Sequence, residues 1–98
     1  MYSVVVSRFA DADMLVAAQW YEMQEAELGN KFLDDVEALF AYLESNPFLF
    51  RKIAANVHQA PLKKFPYVVV YKIKGKKIHI AAVFNCYQNP SKKRKRVK

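Results

Sequence analysis

The side chains able to do chemistry are unevenly distributed along the 98 residues. All nine carboxylates fall between Asp11 and Glu44: Asp11, Asp13, Glu22, Glu25, Glu27, Asp34, Asp35, Glu37 and Glu44. Residues 8–45 hold only Arg8 and Lys31 as bases, whereas residues 46–98 hold fourteen bases and no acid. A segment of that kind attracts anions, and RNA, DNA or an acidic protein are the partners it suits. Six of the fourteen bases lie in the last seven residues, where simple solvation and attraction to an anionic partner explain the run equally well. Lys63 and Lys64 are adjacent, so in an extended chain one faces each side. His58 and His79 stand 21 positions apart, and with the single cysteine, Cys86, they match no metal-ligand spacing. No metal and no cofactor is expected. Cys86 cannot form an internal disulfide and reads as a buried or half-buried inert thiol; a lone cysteine fits a reducing, cytoplasmic compartment.

The elements that must position these groups follow from periodicity. Residues 2–7 alternate as a strand. A first helix follows, capped by Ser7 or Asp11, with an apolar stripe of Met14, Ala17, Ala18 and Tyr21 broadened by Phe9, Val16 and Trp20. Trp20 and Tyr21 are expected to pack in the core or between the helices. Glu22 is expected as a helix-surface carboxylate. Gly29 suits the left-handed position after that helix. A second helix spans residues 30–45, where Phe32, Leu33, Val36, Leu39, Phe40 and Leu43 form one face, and Asn46-Pro47 stops it. A short turn between the two predicts an antiparallel helical hairpin. Residues 53–58 form a short strand. Residues 62–65 lead into a strand over 67–73, Lys74-Gly75-Lys76 turns, and residues 77–85 return. The predicted fold is α+β in the order β-α-α-β-β-β, with the helical hairpin on one face of a mainly antiparallel sheet. The acids then belong to the helices and the bases to the sheet and tail.

Ninety-eight residues make one domain, and a 53% hydrophobic content supplies one core. No apolar run approaches the roughly 20 residues that span a bilayer. The start has no basic lead and does not resemble a secretory signal. A domain over residues 1–90 and a basic, disordered tail over 91–98 are expected.

A set of short runs resembles the RelE/ParE superfamily of bacterial toxins, the toxin halves of type II toxin–antitoxin modules, often labelled plasmid stabilisation proteins. The runs are Trp20-Tyr21-Glu22-Met23-Gln24, Leu28-Gly29-Asn30-Lys31-Phe32-Leu33 with Val36-Glu37, Asn46-Pro47, Leu62-Lys63-Lys64-Phe65-Pro66-Tyr67, Val70-Tyr71, Ala82-Val83-Phe84 and Asn89-Pro90. Their order and spacing over residues 2–90 carry the resemblance. It implies a cytoplasmic, growth-arresting toxin neutralised by an acidic antitoxin in a hetero-oligomer, with no membrane partner. RelE-like members are mRNA endoribonucleases acting on the ribosome. ParE-like members inhibit DNA gyrase.

RNA cleavage requires a group that activates the 2′-hydroxyl, cations on the phosphate and a proton donor for the leaving oxygen. Here the chain departs from its relatives. His58-Gln59 stands where many carry two arginines. Val68 stands where ribonuclease-active relatives place an arginine. Asn85 and Gln88 replace a His and an Arg before Asn-Pro. The resemblance therefore points to a ParE-like or binding-only toxin first, a RelE-like ribosome-dependent endoribonuclease second, and a non-toxic nucleic-acid-binding domain third. The catalytic candidates of the second reading are Lys63, Lys64, Tyr87 and His58; the simpler account of Tyr87 is packing and of His58 an ordinary surface histidine. Lys63, Lys64, Lys72, Arg94 and Arg96 are the candidates for nucleic-acid or antitoxin binding.

Overall fold

The computed structural model describes residues 1–86. The chain runs β1 (Ser3–Val6), α1 (Arg8–Gln24), α2 (Leu28–Ser45), β2 (Arg51–Ala54), β3 (Val57–Pro61), β4 (Tyr67–Lys74) and β5 (Lys77–Asn85). The strands form one sheet in the order β1-β5-β4-β3-β2. Among the described residues only the β1–β5 pair is parallel. The expected α+β architecture is present, and both helices lie on one face of the sheet.

Ser7 caps α1: its Oγ accepts the Ala10 amide at 3.1 Å and donates to the Ala81 carbonyl at 3.2 Å. The Ser7 amide meets the Ile80 carbonyl at 3.1 Å. One serine thus ends β1, starts α1 and continues the pairing along β5. Asp13 then takes over, its carboxylate accepting the Val83 amide at 3.0 Å. These two side chains satisfy β5 backbone groups beyond the reach of β1, as buried polar groups require.

The buried residues of α1 are Ala10, Ala17 and Ala18. Small side chains let the helix lie close to its neighbours, and the larger apolar residues point elsewhere. Phe9, Val16 and Trp20, expected to broaden the core stripe, are 57%, 68% and 56% exposed. Tyr21 does pack inward, against Phe32, Phe65 and Tyr67, with ring centroids 4.8–6.1 Å away. Burial raises the Tyr21 phenol above its ordinary pKa, and neighbouring Tyr67 adds to the shift. Phe65 and Tyr67 are also edge-on to Phe32. The Phe65-Pro66-Tyr67 run is therefore a packing device that anchors the sheet to the helical hairpin.

α2 follows its sequence period closely. Phe32, Val36 and Leu43 are fully buried, with Leu33, Leu39 and Phe40 packed against the same core. It begins two residues earlier than expected. Gly29 lies inside the helix, and the left-handed residue of the turn is Glu27 at φ 73°. Gly29 is needed for a different reason. A Cβ there would stand 2.5 Å from the Ala18 carbonyl oxygen, so the glycine sets how closely the two helices approach. Asn46 ends α2 as expected.

The single strand expected over residues 53–58 is in fact a hairpin. Asn56 at φ 59° turns the chain between β2 and β3, because asparagine tolerates the left-handed region better than most residues. Residues 62–65 are a connection rather than strand. The Lys64 amide there donates to the buried Asp35 carboxylate at 2.8 Å, tying the β3–β4 connection to α2. The β4–β5 turn is Gly75-Lys76, with Gly75 at φ 61° in the first central position of a two-residue loop.

The main core lies between helices and sheet and includes Val69, Tyr71, Ile73, Ile78, Ile80 and Val83. A second cluster, Val57, Val68, Val70, Ala82 and Phe84, belongs to the outer sheet face, turned away from the helices. Among the described residues no helix is long and apolar enough to cross a membrane.

Candidate anion-binding face

No strand of the sheet carries a carboxylate. Every Asp and Glu lies on α1, on α2 or in the turn between them. The charge division foreseen from the sequence is thus a division between two layers: an acidic helical layer and a basic sheet.

Strand alternation sorts the sheet residues by face. In β4, Tyr71 and Ile73 face the helices, so Lys72 and Lys74 face outward, and both are exposed. In β5, Ile78 and Ile80 face the helices, so Lys77 and His79 face outward. A register shift between Val70 and Tyr71 brings Ala82 and Phe84 to the outer side as well. Across the strands, Lys72 pairs with His79 and Lys74 pairs with Lys77. Arg51 pairs with Gln59, which in turn pairs with Val70. The outer face therefore has two parts. Towards the β4–β5 turn it carries Lys72, Lys74, Lys77 and His79. Towards the other end it carries the apolar cluster around Val68 and Phe84.

The sequence candidates are not all brought together. Lys72 stands on the outer face. Lys63 and Lys64 are exposed in the β3–β4 connection, outside any strand. His58 is on the opposite side of the sheet. It pairs with Tyr71 in the register, is 5% exposed, and its ring stacks on Tyr71 with centroids 5.4 Å apart and planes 13° apart. Its Nδ1 lies 3.0 Å from the Phe50 carbonyl oxygen, and Phe48 meets the ring edge-on. This is a buried packing histidine rather than a surface one, and it shares no face with Lys72. Tyr71 beside it donates from its hydroxyl to the Pro47 carbonyl at 2.7 Å, and burial pushes its pKa up to about 12. His58 and Tyr71 together hold the residues 47–50 that join α2 to β2. Tyr87, Arg94 and Arg96 lie outside the described residues.

Sequence reasoning passed over Lys74, Lys77 and Arg51. The signal was available for the first two. Lys72 and Lys74 are two apart in a strand and must share a face, and a two-residue turn at Gly75-Lys76 places Lys77 opposite Lys74. Cys86, expected to be buried or half-buried, is instead exposed just past the end of β5, where its amide donates to the Pro66 carbonyl at 2.7 Å.

No protein-family model matches the chain, and no curated protein matches it. Among solved structures, the fold is similar to a chain of the chromosomal ParDE TA system from P. aeruginosa, with a TM-score of 0.76 and 24% sequence identity. The match covers 87% of this chain and 96% of that one. At that identity the likeness speaks for the fold, and it agrees with the RelE/ParE resemblance of the sequence.

Proposed function

We propose that this chain is the toxin half of a type II toxin–antitoxin module, a ParE-like binding toxin rather than an efficient ribonuclease, held in check by an acidic antitoxin. The observation that carries the reading is the fold shared with a chain of the ParDE TA system over 87% of the sequence. The carboxylate-free sheet supports it independently, because the charged segment of an acidic partner is drawn to the basic strands.

Two surfaces suit the antitoxin. On α1, Val16, Trp20 and Met23 are 68%, 56% and 83% exposed. Their spacing puts them along one side of the helix, where an amphipathic helix of the partner can dock. At the sheet edge all four residues of β2 are exposed, and Arg51 and Lys52 there meet carboxylates of an extended segment.

Binding is favoured over cutting by the surroundings of Val68. Its cross-strand partners are Pro61 and Phe84, so an apolar patch occupies the region where cleavage would require cations. His58 is turned to the helix side and engaged with Phe50.

The test is induction of the chain alone in a bacterium, then together with a small acidic protein encoded beside it. Growth arrest on its own, relieved by the acidic protein, is expected. Trp20→Ser should weaken the relief while leaving arrest intact. Uninterrupted growth with the folded chain accumulating overturns the proposal.

A further inference from the structure

We propose that the outer stripe of α1 is self-complementary, and that a second copy of this chain docks on it antiparallel to form a two-fold dimer when no antitoxin is bound.

Phe9, Ala12, Val16, Trp20 and Met23 are all exposed and follow one another at steps of three and four residues. At 3.6 residues per turn they fall within about 80° of the helix circumference. That is the narrow stripe of a helix–helix seam, with Phe9, Val16 and Met23 at the seven-residue repeat of such seams. Leu15, also exposed, runs along one margin with Arg8 and Glu22, at the same repeat. The core does not account for these large apolar residues, because the buried side of α1 is Ala10, Ala17 and Ala18.

The order of residues along the stripe selects a second copy as its occupant. Turned antiparallel about Val16, the helix meets itself with Val16 on Val16, Phe9 on Met23 and Trp20 on Ala12. The largest side chain then lies on the smallest, which close packing favours. Along the margin Leu15 meets Leu15, and Arg8, the one base on α1, meets Glu22 of the second copy. Every contact off the axis occurs twice, as an isologous interface requires. A parallel pair would instead set Trp20 on Trp20, Arg8 on Arg8 and Glu22 on Glu22. Asp13, on the other margin, is turned to β5, where it accepts the Val83 amide. Trp20 is already steadied by the Tyr21 ring, edge-on with centroids 5.1 Å apart, so covering it orders little that was free.

The same stripe is the α1 surface proposed for the antitoxin, so the two occupants exclude one another and antitoxin binding separates the dimer. The dimer goes beyond the toxin reading and does not depend on it.

Sedimentation equilibrium of the full chain across the micromolar range tests the association, and a monomer–dimer equilibrium is expected. Val16→Asp sets two carboxylates together on the axis, and Trp20→Ser removes the central aromatic. Each should raise the dissociation constant of the dimer by about 30-fold. Leu49→Asp, at a residue equally exposed outside α1, should leave it unchanged. Thermal melts confirm that each variant folds. Orientation is read by crosslinking in a Cys86→Ser background. Val16→Cys should form a disulfide with its own copy under mild oxidation. Met23→Cys should not, because antiparallel docking holds the two copies of that position about 21 Å apart along the axis. A monomer at every concentration would overturn the proposal. So would a dimer indifferent to Val16→Asp, or Met23→Cys crosslinking as readily as Val16→Cys. No readout here involves growth, so this proposal and the toxin reading fail separately.

Discussion

Glu22 on α1 accepts the backbone amide of Gly29 on α2 at 3.0 Å, and its other oxygen accepts the Glu27 amide at 2.9 Å. A carboxylate from one helix thus caps the start of the next, where free N–H groups and the helix dipole favour negative charge. The same Gly29 has no room for a methyl group, because the Ala18 carbonyl lies in the way. The hairpin is held by a polar clasp and a steric fit at one point.

Gly29→Ala should therefore destabilise the protein by about 1–3 kcal/mol, the usual range for forcing atoms into a packed contact. Glu22→Ala should cost about 1 kcal/mol, the loss of a cap. Urea denaturation checks both. A neutral Gly29→Ala would show that the helices can separate without penalty.

Asp35 and Lys64 make a second link, in which only the lysine's backbone takes part. Asp35→Ala leaves a part-buried amide without its partner and should cost about 1–3 kcal/mol. Lys64→Gln should change stability by less than about 0.5 kcal/mol. If the two variants lose equal stability, the lysine charge rather than its amide matters.

Tyr71 gives a pH dependence of definite sign. Its folded pKa is raised to about 12 from 10, so the folded state keeps a proton that the unfolded chain releases. The contribution is complete below pH 10 and is lost as pH rises towards 12. Tyr71→Phe should lower stability near neutral pH by about 1 kcal/mol, for the lost Pro47 hydrogen bond. It should also flatten the decline between pH 10 and 12 relative to the unmodified chain. Parallel alkaline curves would contradict the assignment.

Lys74 and Lys77 give a prediction at low salt. Lys77→Glu replaces a repulsive cross-strand pair with an attractive one and should stabilise the sheet by about 0.2–1 kcal/mol, less as salt rises. Thermal melts at two salt concentrations measure the effect; a Lys77→Glu variant no more stable than the unmodified chain at low salt would contradict it.

α2 was legible because most of its large apolar residues, Phe32, Leu33, Val36, Leu39, Phe40 and Leu43, fall on one face. α1 was not, because it is apolar on two sides. Alanines face the core, while Val16 and Trp20 face out, and composition alone ranks the larger residues as the core. Gly29 was recognised as special, but whether for conformation or for space depends on how two helices cross. Asn56 hid a turn inside what read as one strand. For the site, the division of charge between layers was visible in the order of acids and bases. Which lysines share a face was not, because that needs strand boundaries and register. His58 shows the converse: its type suggested chemistry, and its neighbours Tyr71, Phe48 and Phe50 make it structural.

The reading of this chain as a toxin that binds rather than cuts is tested most directly by mapping mRNA 5′ ends after its induction without an antitoxin. Growth arrest with transcript ends unchanged from the uninduced culture is the expected result. Arrest accompanied by new ends at codon boundaries would contradict it.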